Sequence, residues 1–247
     1  PSRKADKRTW IRRVYYNLTG LPPSMEEIQT FERDQSSEAH EKVVEQLLSS
    51  PHYGERWARH WMDVSRYSDT KGYVFQSDRS YPFAYTYRDY LVRSFNEDLP
   101  YDHFIKEQLA ADLMDLGQDK RPLAALGYLT LGRRFLNNQH DIIDDRIDVV
   151  SRGFMGLTVT CARCHAHKYD PIPTEDYYSL YGVFASTREP GEKPLLGGEP
   201  HPAFAEYQHE KQKRSEAHAT YLHEAQQDAL ESLRDRASDY LIAAHAI

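Results

Sequence analysis

Cysteine is almost missing from this 247-residue chain, which holds only Cys161 and Cys164. At most one disulfide can form between them, and no second Cys or His pair at zinc-finger spacing follows. Long apolar runs are missing too. Those present are short and interrupted, far below the roughly 20 residues that a membrane-spanning helix needs. Positive charge is in deficit: 31 Lys and Arg against 38 Asp and Glu give a formal net charge of -7. No basic stripe with interleaved aromatics occurs, which argues against nucleic acid as the main partner, because phosphate binding needs clustered Lys and Arg. The chain begins at Pro1 with neither a methionine nor an apolar signal region, so it reads as a piece of something longer whose compartment no leader reveals.

What the sequence does contain is enough apolar material for a core, with 40% hydrophobic residues, in one large or two small domains. Tyrosine is the outlier at 18 residues, against 9 Phe and 3 Trp. Such rings are expected to fill core edges while each hydroxyl finds a partner. Apolar residues recur at helical spacing nearly throughout. Trp10, Ile11, Val14, Tyr15 and Leu18 mark a first helix over 8–18, and Ser24 with Glu27 forms a capping-box pattern for a second that runs to about Asp34. Val43, Val44, Leu47 and Leu48 line a third over 38–49, and Pro51 either stops that helix or begins the next. Residues 53–67 place Trp57, His60, Trp61 and Val64 on one helical side, which puts His60 inside an apolar face.

Periodicity is lost over 68–82, a long loop, and returns over 83–96 and from Tyr101 or Asp102 to Leu113. The stretch 122–132 fits a helix or a buried strand, its alanines favouring helix. Residues 141–157 form a strong helix pattern, with Asp141, Asp144, Asp145 and Asp148 read as solvated acids that suit the helix dipole. Thr174 is the expected N-cap of an aromatic helix over 175–186. Pro and Gly crowd the segment 189–203, and 204–247 reads as one long polar helix.

The chemistry concentrates at Cys161-Ala162-Arg163-Cys164-His165. This is the C-x-x-C-H spacing that attaches a c-type haem: each thiol adds across a porphyrin vinyl, and the imidazole beside the second becomes the proximal iron ligand. Three other readings stand beside it. They are half of a zinc site, a structural disulfide and a thioredoxin-like redox pair, although the last wants a βαβ setting that the pattern lacks.

Several stretches together carry a resemblance: Asn17-Leu18-Thr19-Gly20-Leu21-Pro22-Pro23, Glu55-Arg56-Trp57-Ala58-Arg59-His60-Trp61, Arg66-Tyr67-Ser68-Asp69, Phe95-Asn96-Glu97-Asp98-Leu99-Pro100-Tyr101-Asp102, and Gly156 through Pro173 around the cysteines. On these, positions 8 to about 187 resemble the planctomycete-type DUF1549 family (PSCyt2, cytochrome-like) of large secreted multidomain proteins. Tyr169 and Ala166 stand where that family often has Phe and Asp, and the attachment residues are intact. The resemblance implies export, hence a periplasmic or extracytoplasmic location, and a neighbouring cytochrome module.

The expected fold is all-α, an irregular multi-helix domain around the C-x-x-C-H haem site, with a haem-binding domain at 1–188, a linker at 189–203 and a helical arm at 204–247 leading to a further domain. One covalent haem c is anchored by Cys161 and Cys164, with His165 proximal. His60 is the first distal candidate and Met155 a weaker one, with His140 or a tyrosine after them. Lys168 and Arg163 are candidate propionate contacts, and His167 is expected behind the ligand, hydrogen-bonding a propionate, a backbone carbonyl or another partner. The expected role is electron transfer to a redox partner protein or a neighbouring cytochrome module. A haem-containing enzyme, or a sensor or scaffold module acting on an extracellular substrate such as a glycan, is the alternative.

Overall fold

The computed structural model describes residues 3–68, 82–132, 135–191, 193–197 and 202–245. Apart from its two ends, the loop expected over 68–82 lies outside them, and with it most of the aromatic segment between Tyr67 and Tyr87. Among the described residues every regular element is helical and there is no strand, so the fold is all-α. The chain divides into two compact units, Pro1–Gly197 and Gly198–Ile247.

The first unit opens with three short amphipathic helices. Helix α1 (Lys7–Leu18) starts where the Asp6 carboxylate accepts the Thr9 N–H, and α2 (Met25–Arg33) carries the capping box in both halves. Glu27 N–H donates to Ser24 Oγ at 3.2 Å and Ser24 N–H donates to Glu27 Oε2 at 2.7 Å. With α3 (Ala39–Leu48) they enclose Ile11, Tyr15, Phe31, Ala39 and Leu47. Pro51 is the first residue of α4 (Pro51–Val64), where a missing N–H costs no helical hydrogen bond.

Helix α4 lies so close to α5 (Tyr85–Asn96) that a Cβ on Gly54 would collide with the Val92 carbonyl oxygen and the Asn96 side chain. Asn96 Oδ1 accepts the Gly54 N–H at 2.8 Å. This approach sets which face of α4 is buried. The inward stripe runs through Gly54, Ala58 and the half-buried Trp61 to Ser65, not through Trp57, His60 and Val64. Trp57 and Val64 are 36% and 40% exposed, and His60 is exposed with its ring edge-on to Trp57. The expected apolar face was thus rotated, because only small side chains fit between backbones this close.

The central core gathers Ala58, Tyr87, Tyr90, Leu91, Phe104, Ala125, Tyr128 and Val149. It draws on α4, α5, α6 (Tyr101–Ala110), a 3₁₀ segment Arg121–Leu126 that runs into α7 (Gly127–Thr130), and α8 (Gln139–Val150). The ambiguous 122–132 stretch is therefore helical as far as Thr130, its first part in the tighter 3₁₀ form and the rest in α7. Leu113, expected to extend the buried stripe of α6, instead lies in a 3₁₀ turn and is 84% exposed. Tyr87 and Tyr128 are sealed in the core, Tyr87 donating to Gln108 Oε1 at 2.7 Å and Tyr128 to the Val149 carbonyl at 2.6 Å.

Helix α8 does not stop at Val150. It widens into a π turn, Ser151–Met155, closed by Gly156 at φ +68°, a conformation glycine adopts without the Cβ clash. A 3₁₀ turn, Val159–Arg163, follows, and α9 (Thr174–Ala185) begins at Thr174 itself after Pro173, without a side-chain cap. The second unit holds α10 (Phe204–Asp235) and α11 (Ala237–His245), so the single arm helix expected from sequence is broken at Arg236. No side chain of α10 is buried.

Replacing Gly54 with alanine is expected to lower stability by about 1–3 kcal/mol, because the added methyl meets backbone that cannot give way. A fall in the urea midpoint at unchanged slope would register it; an unchanged midpoint would mean that α4 and α5 are freer to separate than their packing indicates.

Candidate functional site

A 3₁₀ helix has three residues per turn, so side chains at i and i+3 lie one above the other. The Val159–Arg163 turn and the residue after it therefore present three stripes. Val159 and Ala162 form the inward stripe, 4% and 0% exposed, in a core with Ile143, Ile147, Tyr177 and Phe184. Thr160 and Arg163 form the second and face the acids of α8. The third stripe is Cys161 and Cys164. Both are exposed, and their thiols are free. The periodicity that buries Val159 and Ala162 leaves both cysteines exposed.

The acids of α8 hold this turn in place. Asp141 accepts from both terminal nitrogens of Arg163 at 3.3 Å, and Asp144 lies 3.6 Å from the same guanidinium. Asp148 binds Arg152 at 2.7 Å and accepts from the Thr160 hydroxyl at 3.4 Å. Asp145 pairs with Arg66, whose backbone sits at φ +60°. Mere solvation of these four acids, the sequence expectation, is corrected: each has a cationic or hydroxyl partner, and three of the four meet side chains of the turn or of the tyrosine helix behind it. Arg163, a candidate propionate contact, directs its charge at these acids of α8.

Helix α9 closes the other side. The Tyr178 hydroxyl donates to the Arg163 carbonyl at 3.2 Å, and the buried Tyr177 hydroxyl donates to Asp144 at 2.7 Å. Burial, reinforced by the Asp144 carboxylate, pushes the Tyr177 phenol above the usual tyrosine range. Main chain and side chain of Arg163 are thus gripped by α9 and α8 respectively. Asp144, Tyr177 and Tyr178 were not singled out from the sequence as functional. The available signal was the pair of acids one helical turn apart, Asp141 and Asp144, on the helix that leads into the turn.

The two histidines of the motif behave differently. His165 is exposed and its Nδ1 lies 2.8 Å from the Ala166 carbonyl oxygen, so that nitrogen donates and Nε2 is left as the outward lone pair. The His167 side chain is 7% exposed and turned into the loop, its Nε2 2.9 Å from Thr158 Oγ1. Lys168 is exposed and lies over the Tyr169 ring, 5.1 Å from its centroid. Met155 ends the π turn and is 54% exposed. His60 sits on the outer side of α4. His140 Nδ1 is 2.5 Å from the Tyr181 hydroxyl on α9. Among the described residues no three His, Cys, Asp or Glu side chains converge to hold a metal ion. The donor set of the zinc alternative is not assembled there, and with both thiols free the disulfide alternative is not formed.

These observations define an all-α domain in which a C-x-x-C-H turn is seated on two helices, α8 and α9. Over residues 1–189 the sequence matches the family PSCyt2, described as a protein of unknown function (DUF1549), and the chain belongs to that family. No curated protein and no solved structure gives a significant match.

Two outcomes follow from the seat. Arg163→Ala is expected to lower stability by about 1 kcal/mol, a modest loss because the pair is part-exposed, and Arg163→Lys to recover less than half of it, since an ammonium cannot span two carboxylates in the same way; denaturant midpoints of the two variants decide this. The raised phenol of Tyr177 means the folded state keeps its proton longer than the unfolded chain. That contribution is fully present below the ordinary tyrosine value of about 10 and is lost as pH rises beyond it. Tyr177→Phe should therefore show a shallower loss of stability on alkaline titration than the parent chain, measured by thermal melts on both sides of that value.

Proposed function

We propose that the Cys161–His165 turn is the attachment site of one covalent c-type haem and that the domain serves electron transfer within a larger exported protein. One observation carries the reading: Cys161, Cys164 and the unbonded Nε2 of His165 are all exposed on a turn whose remaining side chains are buried or paired. The residues fit the group. Two free thiols at the required spacing supply the thioether sulfurs, and an imidazole whose Nδ1 is already committed to a backbone carbonyl offers Nε2 to the iron.

Bound here, haem would supply a reversible one-electron couple at its iron. The chain's own part is to fix the geometry. Arg163, held by Asp141 and Asp144, keeps the turn on α8, and Tyr178 keeps its main chain on α9. Lys168, exposed on the loop after His165, and Arg163 are the propionate candidates. His60 and Met155 are the residues proposed to supply a second ligand if the iron takes one. Trp61 on α4 stacks 5.9 Å from Phe154, which places the helix of His60 beside the segment of Met155. Membership of the family and the maturation that haem c requires support an extracytoplasmic location, with a redox protein or cytochrome module as partner.

The test is expression of the full 247-residue chain, exported in a host with c-haem maturation machinery. A pyridine haemochrome spectrum should report about one haem per chain that survives denaturing electrophoresis, reduced to a single-thioether signature in Cys161→Ala or Cys164→Ala and abolished in the double variant. A colourless protein with two titratable thiols would overturn the assignment. Rapid capture of cyanide by the ferric protein would move the role from electron transfer to catalysis or sensing.

A further inference from the structure

The loop after the turn, residues 166–172, contains almost no regular structure; Ile172 packs it against the core of α8 and α9, and His167 makes most of its internal hydrogen bonds. The His167 side chain is 7% exposed in a stretch where Lys168 and Tyr169 are open to solvent. Its Nε2 lies 2.9 Å from Thr158 Oγ1, on the residue immediately before the 3₁₀ turn. Its Nδ1 receives the backbone N–H of Asp170 at 2.9 Å and that of Tyr169 at 3.3 Å, beyond the turn. Its backbone N–H donates to the Ile172 carbonyl at 2.8 Å. One histidine therefore closes a ring of contacts from Thr158 to Ile172, with Cys161, Cys164 and His165 inside the enclosed stretch.

The partners also fix which nitrogen carries the proton. Two backbone N–H groups converge on Nδ1, and an N–H can only be accepted by a bare lone pair, so Nδ1 is unprotonated and Nε2–H donates to Thr158. Asp170 Oδ2 stands 3.2 Å from the same Nδ1. It is brought there by the Asp170 backbone N–H, the shorter of the two contacts, and is not the group that Nδ1 serves. Arg163 cannot substitute for this tie, because its clamp holds the turn to α8 and α9 and does not reach the loop beyond His165.

We propose that His167 is the positioning residue of the haem-attachment turn. It holds residues 166–172 in one conformation, so that the Ala166 carbonyl stays under His165 Nδ1 and His165 Nε2 is presented outward. The inference rests on the haem reading for its consequence at iron but makes a separate claim about the loop. It gives the second histidine of the sequence His165-Ala166-His167 a role that is neither iron ligation nor contact with a propionate.

The experiment uses the full chain in two states. In the haem-free chain, amide hydrogen exchange at Tyr169 and Asp170 is expected to speed up about tenfold or more in His167→Ala while amides of α8 and α9 are unchanged, since two hydrogen bonds to one acceptor are lost locally. His167→Asn, whose Oδ1 stands in for Nδ1, should retain most of that protection, and Asp170→Ala should leave it in place. In the haem-loaded chain, His167→Ala should keep its haem-to-chain ratio but shift the midpoint potential, as a loosened His165 would. Unaltered exchange at both amides in His167→Ala, the same loss in Asp170→Ala, or a ring ¹⁵N spectrum with the proton on Nδ1 would each overturn the role. If the parent chain takes up no haem, the haem reading fails with it, while the exchange arm still decides whether His167 organises the loop.

Discussion

The contact on which the site depends is the seating of Arg163 between Asp141 and Asp144. A 3₁₀ turn is a weak element by itself, with poorly aligned hydrogen bonds and few of them. This one is held because its inward stripe, Val159 and Ala162, is buried against α8 and α9 while its charged residue reaches back to the preceding helix. Tyr178 adds a bond to the main chain of the same arginine, and Tyr177 fixes one of the two carboxylates. Burial and ion pair act on different stripes of the turn, and together they leave the third, the thiols, no place to go but outward.

The rest of the domain can be read as support for that seat. Helix α8 is anchored along its length. Its apolar residues enter both neighbouring cores, Val149 in one and Ile143 and Ile147 in the other, and the Asp145–Arg66 pair ties it to the end of α4. Its π turn and the left-handed Gly156 then swing the chain off the helix axis, so that the cysteines arrive beside α8 and not beyond its end. A continued α-helix would have carried Cys161 away from Asp141 by several turns. The bend converts acids that precede the motif in sequence into its lateral supports.

Much of the helix order was legible because it rests on local physics. The capping box at Ser24 and Glu27, Pro51 as a helix start and the apolar spacing of α1, α5 and α8 need only neighbours along the chain. The face of α4 was not legible. Hydropathy favoured Trp57, His60 and Val64, whereas the closeness of α5 demanded Gly54 and Ala58, and a steric limit set by another element outweighs a larger apolar area. Three acids of α8 misread for the same kind of reason: the partners of Asp141, Asp144 and Asp145, namely Arg163, Tyr177 and Arg66, are separated from them by long stretches of chain, and one-dimensional charge pattern cannot tell a solvated carboxylate from a paired one.

The sequence by itself determined the class of fold and the identity of the reactive groups, since helical periodicity and a five-residue spacing are properties of adjacent residues. It also contained the two histidines of the motif without separating their tasks. Only the tertiary structure decided that His165 faces outward while His167 turns in to tie Thr158 to the loop beyond, and that Arg163 reaches back to α8. Those assignments depend on which groups meet across the bend between α8 and α9, and such meetings are made by packing, not by spacing.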